Sequence, residues 1–269
     1  MLDQRIGFIG AGQMANALAR GFLKAGLATP DQVSAADVDE AARQKFAQTT
    51  GAQAVVDSTA VVRQSDVIFL AVKPQQIAAV AEKLLGKIGG GKLLVSIAAG
   101  VRLASLAERF GPDLRMIRVM PNTPCLIGQG VCAYSLGKHA TPEDGALVGR
   151  LLSSLGSAWP VEEKLLDAVT GLSGSGPAFV YMMIEALSDA GVRVGLPRAM
   201  ATAMAAQTVR GSADMVLASG EHPAVLKDRV TSPGGTTIAG LQAMEQGGVR
   251  AALMAAVEAA TKRSEELGK

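Results

Sequence analysis

Histidine is scarce in this chain: 269 residues carry two. His139 stands beside Thr141-Pro142 and His222 beside Pro223, both turn-like surroundings, so serine-type triads and histidine acid–base pairs have little support. Two cysteines, Cys125 and Cys132, cannot build a disulfide framework, and no Cys/His spacing suits zinc. They read as small apolar residues packed near the sheet end. Aromatics are few, with one Trp, two Tyr and six Phe, which argues against base-stacking platforms. A net charge of +2 offers no basic excess for a nucleic-acid partner. No apolar stretch is long enough to span a bilayer, and Met1 to Arg5 lacks the basic and apolar regions of a secretory leader. The expectation is a cytoplasmic protein without membrane or nucleic-acid partners. What the chain does have is 31 glycines and 49% hydrophobic residues, mostly small aliphatics, with enough length for one large domain or two smaller ones.

The first half alternates β-rich runs with helical stretches. Ile6 to Ile9, Val33 to Ala36, Val67 to Val72, Leu93 to Ile97 and Met116 to Met120 read as strands, with shorter ones near Val131 to Tyr134 and Ala158 to Val161. The runs at Val67 and Leu93 are continuously apolar, as parallel strands covered on both faces should be. Helical segments such as Ala15 to Ala25 and Gln75 to Leu85 lie between them. This alternation predicts an α/β, doubly wound domain over residues 1–161. From Glu162 the strand signals stop, and residues 162–269 read as all-helical. Pro177 heads one helix that Gly191 closes; Pro197 opens another that ends before Gly220. A short helix follows Pro223, another runs from Thr236 to Gln246, and the last begins near Arg250 with Leu253, Val257, Ala260, Ser264 and Leu267 on one stripe. The two long helices are apolar on most faces, more than so small a domain can hide, which predicts a helical homodimer interface.

Several loops carry candidate chemistry. Arg5-Ile6-Gly7-Phe8-Ile9 runs into Gly10-Ala11-Gly12-Gln13-Met14-Ala15, a strand, a glycine turn and a helix start. Gly10 makes the turn, Gly12 lets a pyrophosphate approach the backbone, and Ala15 keeps helix and strand close. The free N–H groups of the helix start then hold the anion. An acidic residue belongs about twenty positions on, and Asp37 is there, with Asp39 and Arg43 nearby. Asp37 alone favours NADH by gripping a ribose hydroxyl; Arg43 instead suits the 2′-phosphate of NADPH, so both coenzymes stay open. Ala71-Val72-Lys73-Pro74, Ser96-Ile97-Ala98-Ala99-Gly100 and Met120-Pro121-Asn122-Thr123-Pro124 follow strand ends and are candidate walls of a nicotinamide site, though each also fits an ordinary loop. In the helical half, Gly171 to Pro177 and Thr231-Ser232-Pro233-Gly234-Gly235-Thr236-Thr237 each read as a glycine-rich approach to a helix N-terminus. Such an approach suits a carboxylate or is simple Ser/Thr capping.

The ordered set of motifs resembles one known family. Gly7 to Met14, Ala71 to Gln75, Ser96 to Gly100, Pro121 to Pro124, Asp167 to Thr170 with Gly171 to Pro177, Asp189-Ala190-Gly191 and, most specifically, Val230 to Thr237 are similar to pyrroline-5-carboxylate reductase over essentially the full length. The resemblance implies an NAD(P)H-dependent oxidoreductase that reduces the cyclic imine 1-pyrroline-5-carboxylate to L-proline. It implies a Rossmann-like coenzyme domain at 1–161 and an all-α dimerisation and substrate-binding domain at 162–269. Gly10, Ala11, Gly12, Gln13 and Met14 then hold the pyrophosphate. Ala71, Val72, Lys73 and Pro74 lie along the coenzyme, with Ala98 and Ala99 by the nicotinamide. Ser58 sits where many relatives place an asparagine near the adenine, and Asp37 where some have a small hydroxyl residue near the 2′-phosphate. The substrate carboxylate falls on the loop of Ser232, Gly234, Gly235, Thr236 and Thr237; Thr237 bonds the ring nitrogen and Glu163 lies near the substrate. The family pairs the Rossmann domain of one subunit with helices of its dimer partner, and five such dimers often make a decamer.

That chemistry suits the scarcities. A carbonyl reductase needs an acid for the developing alkoxide, whereas a cyclic imine is protonated before hydride arrives and needs mainly positioning. Three other readings fit the sequence less well. A β-hydroxyacid dehydrogenase would want a lysine inside Pro177 to Ala190, and there is none. A non-enzymatic NAD(H)-binding regulator leaves the substrate-like loops unexplained, and a purely structural oligomer leaves the glycine turn unexplained.

Overall fold

The structure is a computed structural model that describes residues 2–89 and 91–268. In chain order its elements are β1 (Ile6–Ile9), α1 (Gln13–Lys24), β2 (Val33–Ala36), α2 (Glu40–Thr50), β3 (Gln53–Val55), α3 (Ser58–Gln64), β4 (Val67–Leu70), α4 (Ile77–Leu84) and β5 (Leu93–Ser96). There follow α5 (Leu103–Phe110), β6 (Arg115–Pro121), β7 (Gly130–Leu136), α6 (Pro142–Ser153) and β8 (Gly156–Pro160). The rest is helical: α7 (Leu166–Val169), α8 (Gly176–Arg193), α9 (Arg198–Ser219), α10 (Pro223–Arg229), α11 (Thr236–Gln246) and α12 (Val249–Leu267).

The strands form one sheet in the order β3-β2-β1-β4-β5-β6-β7-β8. The five pairings from β3 to β6 are parallel, which puts β1 and β4 side by side at the point where the order reverses. Strand β7 runs antiparallel to β6, so the doubly wound expectation holds for the sheet's main body and gains a reversed extension. Sequence patterning passed over β3, whose three residues are only partly buried at the sheet edge and too few to show a period.

Register decides the two cores. Phe8, Phe69, Val95 and Ile117 are paired across β1, β4, β5 and β6 and share one face; Gly7, Ile68, Leu94 and Met116 share the other. Four of the six phenylalanines gather on the first face, with Phe8 stacked on Phe69 at 5.1 Å and tilted against Phe46 at 5.9 Å. Helix α1 packs there through Ala15, Ala17, Leu18, Ala19 and Phe22, while α4 and α5 cover the other face through Ile77, Ala81, Leu84, Leu106 and Phe110.

The chain divides into two compact units: the described residues up to Ser175 together with those from Ala259 onward, and Gly176 to Glu258. The boundary expected at residue 161 falls one residue beyond the end of β8. Within the second unit, α8 and α9 lie close because small residues face each other: Gly191 meets Ala201, and Ser188 shares a 2.7 Å hydrogen bond with Thr202. Among its described residues only Ala201 and Ala205 are buried apolar side chains, while Met182, Met204, Met215 and Met254 are more than half exposed. A helical unit with so little core of its own needs a partner to cover it.

Candidate active site

The cleft lies where doubly wound sheets bind ligands, outside the carboxyl ends of β1 and β4. It encloses about 370 Å³ and is lined by Gly10, Gly12, Asp37, Ser58, Ala71, Val72 and Lys73, all expected from the sequence. Gly10 turns out of β1 with φ +101°, and its N–H donates to the Ala36 carbonyl at 2.7 Å. A Cβ there would stand 2.6 Å from the Ala71 carbonyl oxygen, so the turn admits glycine only. Gly12 is different. It is the N-cap of α1, its backbone is extended, and a Cβ would meet nothing within 4 Å. No side chain caps α1 and no acidic residue occupies its first turn, so the N–H groups of the helix start face open space. That cradle fits a pyrophosphate, which approaches the backbone most closely at Gly12. Gln13 and Met14 form the first turn of α1, and Ala11 is buried behind it.

Asp37 leaves the end of β2 into the cleft. Its Oδ2 accepts from the Ala11 N–H at 2.8 Å and its Oδ1 from the Asp39 N–H at 3.0 Å. Arg43 donates through Nη1 to the carbonyls of Asp37 and Val38 at 2.9 and 3.0 Å. Ser58 is buried at the start of α3, behind its N-cap Asp57. The Asp57 carboxyl is held below its ordinary value, chiefly by the Thr59 N–H and further by Lys83. On the opposite lip, the Lys73 N–H donates to Gln76 Oε1 at 3.1 Å, which locks the turn at Pro74. Sequence reading missed Gln76, Val38, Val56, Ala79, Val80 and Lys83 as lining residues. Only Gln76 left a signal, three positions after Lys73 and two after Pro74.

Ala98 and Ala99 do not line this cleft; they follow β5, the next strand outward. Ala98 is buried, its N–H donates to Ser96 Oγ at 3.3 Å, and Gly100 turns the chain with φ +75°. Asn122, on the loop after β6, accepts from the Val131 N–H at 2.9 Å and donates to the Ser173 carbonyl at 3.1 Å. It thus ties that loop to the segment before α8. The glycine-rich approach expected at Gly171 to Pro177 is not a loop. The chain stays helical through a π turn over Thr170–Gly174, closed by Ser175 N–H to the Thr170 carbonyl at 2.8 Å. Its amides are used within the helix, so no open N-terminus exists there for a carboxylate.

Glu163 belongs to a buried ionic cluster. Its Oε1 accepts from the Leu103 N–H at 2.7 Å and from Arg118 Nη1 at 3.2 Å, and Arg118 also lies 3.8 Å from Asp167. Asp167 in turn accepts from Ser264 Oγ at 2.7 Å, which anchors the end of α12. Arg118 is 4% exposed. In the sequence it stands as a lone charge inside the apolar run Met116 to Met120. Nearby, Cys125 and Cys132 are buried with sulfurs 3.6 Å apart. Hydrogen bonding from Cys132 lowers the Cys125 thiol, while that same bond and burial raise Cys132 far above its ordinary value.

The Thr231 to Thr237 loop belongs to the second unit. Pro233 and Gly234 occupy the middle of a turn closed by Gly235 N–H to the Ser232 carbonyl at 3.1 Å, with Gly234 at φ +65°. Gly235 is the N-cap of α11, and no side chain caps it. Among the described residues, the hydroxyls of Ser232, Thr236 and Thr237 have no partner within the chain, so amides and hydroxyls at this helix start are available to an anion. Asp37, Lys73 and the glycine turn are gathered in one cleft; the Thr237 loop is built on the other unit.

Comparison with known proteins gives consistent results. The family model described as pyrroline-5-carboxylate reductase dimerisation matches residues 163–267, and one described as NADP oxidoreductase coenzyme F420-dependent matches residues 5–100. The chain is 51% identical to a pyrroline-5-carboxylate reductase of Glycine max over 97% of its length and 95% of the relative's. It is 46% identical to one from Methanosarcina acetivorans over the whole of both chains. Among solved structures, a Plasmodium falciparum pyrroline carboxylate reductase with NADP bound is 34% identical, with TM-score 0.90 over all of both chains. A Coxiella burnetii pyrroline-5-carboxylate reductase is 31% identical, with TM-score 0.93 and the same full coverage.

Proposed function

The chain belongs to the pyrroline-5-carboxylate reductase family, and from that membership we propose how its own residues carry out the reduction of 1-pyrroline-5-carboxylate to L-proline, the closing step of proline biosynthesis. A nicotinamide coenzyme bound in the cleft supplies the hydride. The single observation that carries the reading is the pairing of two anion cradles on one chain. One is the uncapped start of α1 behind Gly10 and Gly12; the other is the uncapped start of α11 behind Gly234 and Gly235.

The first cradle, formed by Gly10, Ala11, Gly12, Gln13 and Met14, holds the coenzyme pyrophosphate. Asp37 and Ser58 border the adenosine half, Ala71, Val72, Lys73 and Pro74 run along it, and Ala98 and Ala99 back the nicotinamide. The second cradle, formed by Ser232, Gly234, Gly235 and Thr236, takes the substrate carboxylate through amides and hydroxyls. Thr237 accepts from the iminium N–H and steadies the ring nitrogen. Glu163, fixed by Leu103 and Arg118, supports the wall beside the substrate. Since the imine carries its proton before reduction, these groups need to orient and anchor it rather than supply a strong acid.

In this reading residues 1–161 hold the coenzyme and 162–269 dimerise and bind substrate. The protein is a homo-oligomer built on dimers, five of which form a decamer. The exposed methionines of α8, α9, α11 and α12 support the dimer. It works in the cytoplasm, where two free thiols in contact stay reduced. The test follows NADH and NADPH oxidation with 1-pyrroline-5-carboxylate. Thr237→Ala is expected to lower turnover far more than coenzyme affinity. No oxidation with either coenzyme overturns the activity, and an unchanged rate in Thr237→Ala removes that residue from the mechanism.

A further inference from the structure

We propose that Asp37 makes this cleft selective for NADH over NADPH; the inference rests on the reductase reading and settles which of the two coenzymes its site takes. It marks a departure from the Plasmodium falciparum protein, whose crystal structure has NADP bound.

The argument begins with how firmly the carboxylate is held. Both oxygens accept backbone N–H groups, Ala11 at 2.8 Å and Asp39 at 3.0 Å. Ala11 is 1% exposed, so turning Asp37 aside would strand a buried amide. An exposed aspartate can swing away from an incoming anion; this one cannot. Each oxygen keeps a second lone pair, which can accept from a ribose hydroxyl. Neither has a proton to offer a phosphate. At the same point in the cleft a 2′-phosphate would set its negative charge against a fixed one.

The neighbouring cations do not reverse this balance. Arg43 is the nearest in sequence, but its Nη1 already caps the carbonyls of Asp37 and Val38, and it is not among the residues lining the cleft. Lys83 lies 3.5 Å from Asp57. Lys73 follows β4, on the lip opposite the end of β2. Val38, Val56 and Ser58 line the cleft together with Asp37, and none of them carries charge.

The experiment measures binding rather than turnover: calorimetric titration of the full-length protein with NADH and with NADPH, repeated on Asp37→Ser, Asp37→Asn and Arg43→Ala. Wild type is expected to bind NADH at least about tenfold more tightly, a modest preference for one fixed charge facing another. Asp37→Asn keeps an acceptor for the Ala11 amide and so preserves the turn. It is expected to raise NADPH affinity and narrow the preference by a similar factor, as is Asp37→Ser with a larger loss of NADH affinity. Arg43→Ala is expected to leave the preference in place. Tighter or equal binding of NADPH by wild type, an unchanged preference in Asp37→Asn, or a selective loss of NADPH in Arg43→Ala each overturns the inference. A protein that prefers NADPH yet reduces the imine refutes the inference alone; one that is folded and binds neither coenzyme removes the reductase reading with it.

Discussion

Gly10 and Gly12 stand two residues apart in one motif, yet the structure predicts opposite consequences for the same methyl group. In Gly10→Ala the residue must keep φ +101°, and its Cβ would lie 2.6 Å from the Ala71 oxygen and 2.7 Å from its carbonyl carbon. The Ala71 backbone cannot yield freely, because its N–H is bonded to the Ile9 carbonyl at 2.8 Å. Left-handed strain of about 1–2 kcal/mol and overpacking of about 1–3 kcal/mol add to roughly 2–5 kcal/mol. At about 2–4 °C per kcal/mol for a unit of this size, Tm falls by roughly 4–20 °C. In Gly12→Ala the backbone is already extended and the methyl enters open space, so stability shifts by no more than about 0.5 kcal/mol. The methyl does occupy the path of the pyrophosphate. Losing one charge-assisted hydrogen bond costs about 1.5–3 kcal/mol, or roughly ten- to hundredfold in coenzyme Kd. Thermal unfolding without coenzyme and calorimetric titration with it separate the two effects. A Gly12→Ala protein that melts as low as Gly10→Ala, or that binds coenzyme as wild type does, refutes the cradle.

Other expectations follow from the same structure. Arg118→Met leaves Glu163 and Asp167 without their buried cation and should cost about 3–5 kcal/mol in urea unfolding; a wild-type midpoint would deny the cluster its structural role. Met182→Glu combined with Met204→Glu, both on exposed faces of the second unit, should dissociate the oligomer in sedimentation equilibrium. A species of unchanged mass would mean that those faces are not the interface. The Asp57 carboxyl has a depressed folded pKa, so its contribution is present above the unfolded value and lost as pH falls through the folded one. Asp57→Asn keeps a capping side chain but loses the charge, and should lower neutral-pH stability slightly while making the acid limb shallower; an unaltered acid limb counts against the assignment. Finally, Cys125 should alkylate before Cys132 as pH rises, since Cys132 holds its proton and lowers its neighbour. Mass spectrometry of the modified peptides reads the order, and the reverse order contradicts it.

The main strands were legible because apolar runs such as Val67 to Leu70 and Leu93 to Ser96 are short, continuous and bounded. The glycine turn was legible because it joins a strand to a helix at the chain's start. Helices α8 and α9 were placed by Pro177, Pro197 and Gly220, although α8 continues through Gly191 to Arg193 because that glycine packs on Ala201 instead of ending the helix. The π turn at Thr170–Gly174 reads as a loop in the sequence, since glycine and serine signal loops locally, and its i to i+5 backbone bond and the Asn122 tie to the Ser173 carbonyl exist only in the folded chain.

By itself the sequence determined the parallel sheet, the dinucleotide turn, the helical second half and the family, because periodicity, turn residues and ordered motifs are local properties. Only the tertiary structure decided what the polar side chains do. It gave Asp37 to the Ala11 amide, Glu163 to Leu103 and Arg118, and Asp167 to Ser264, partners 26 to 97 residues away. Such bonds depend on which strand ends and helix starts the fold brings within hydrogen-bond reach of one another. The sheet order sets that proximity, and spacing along the chain does not.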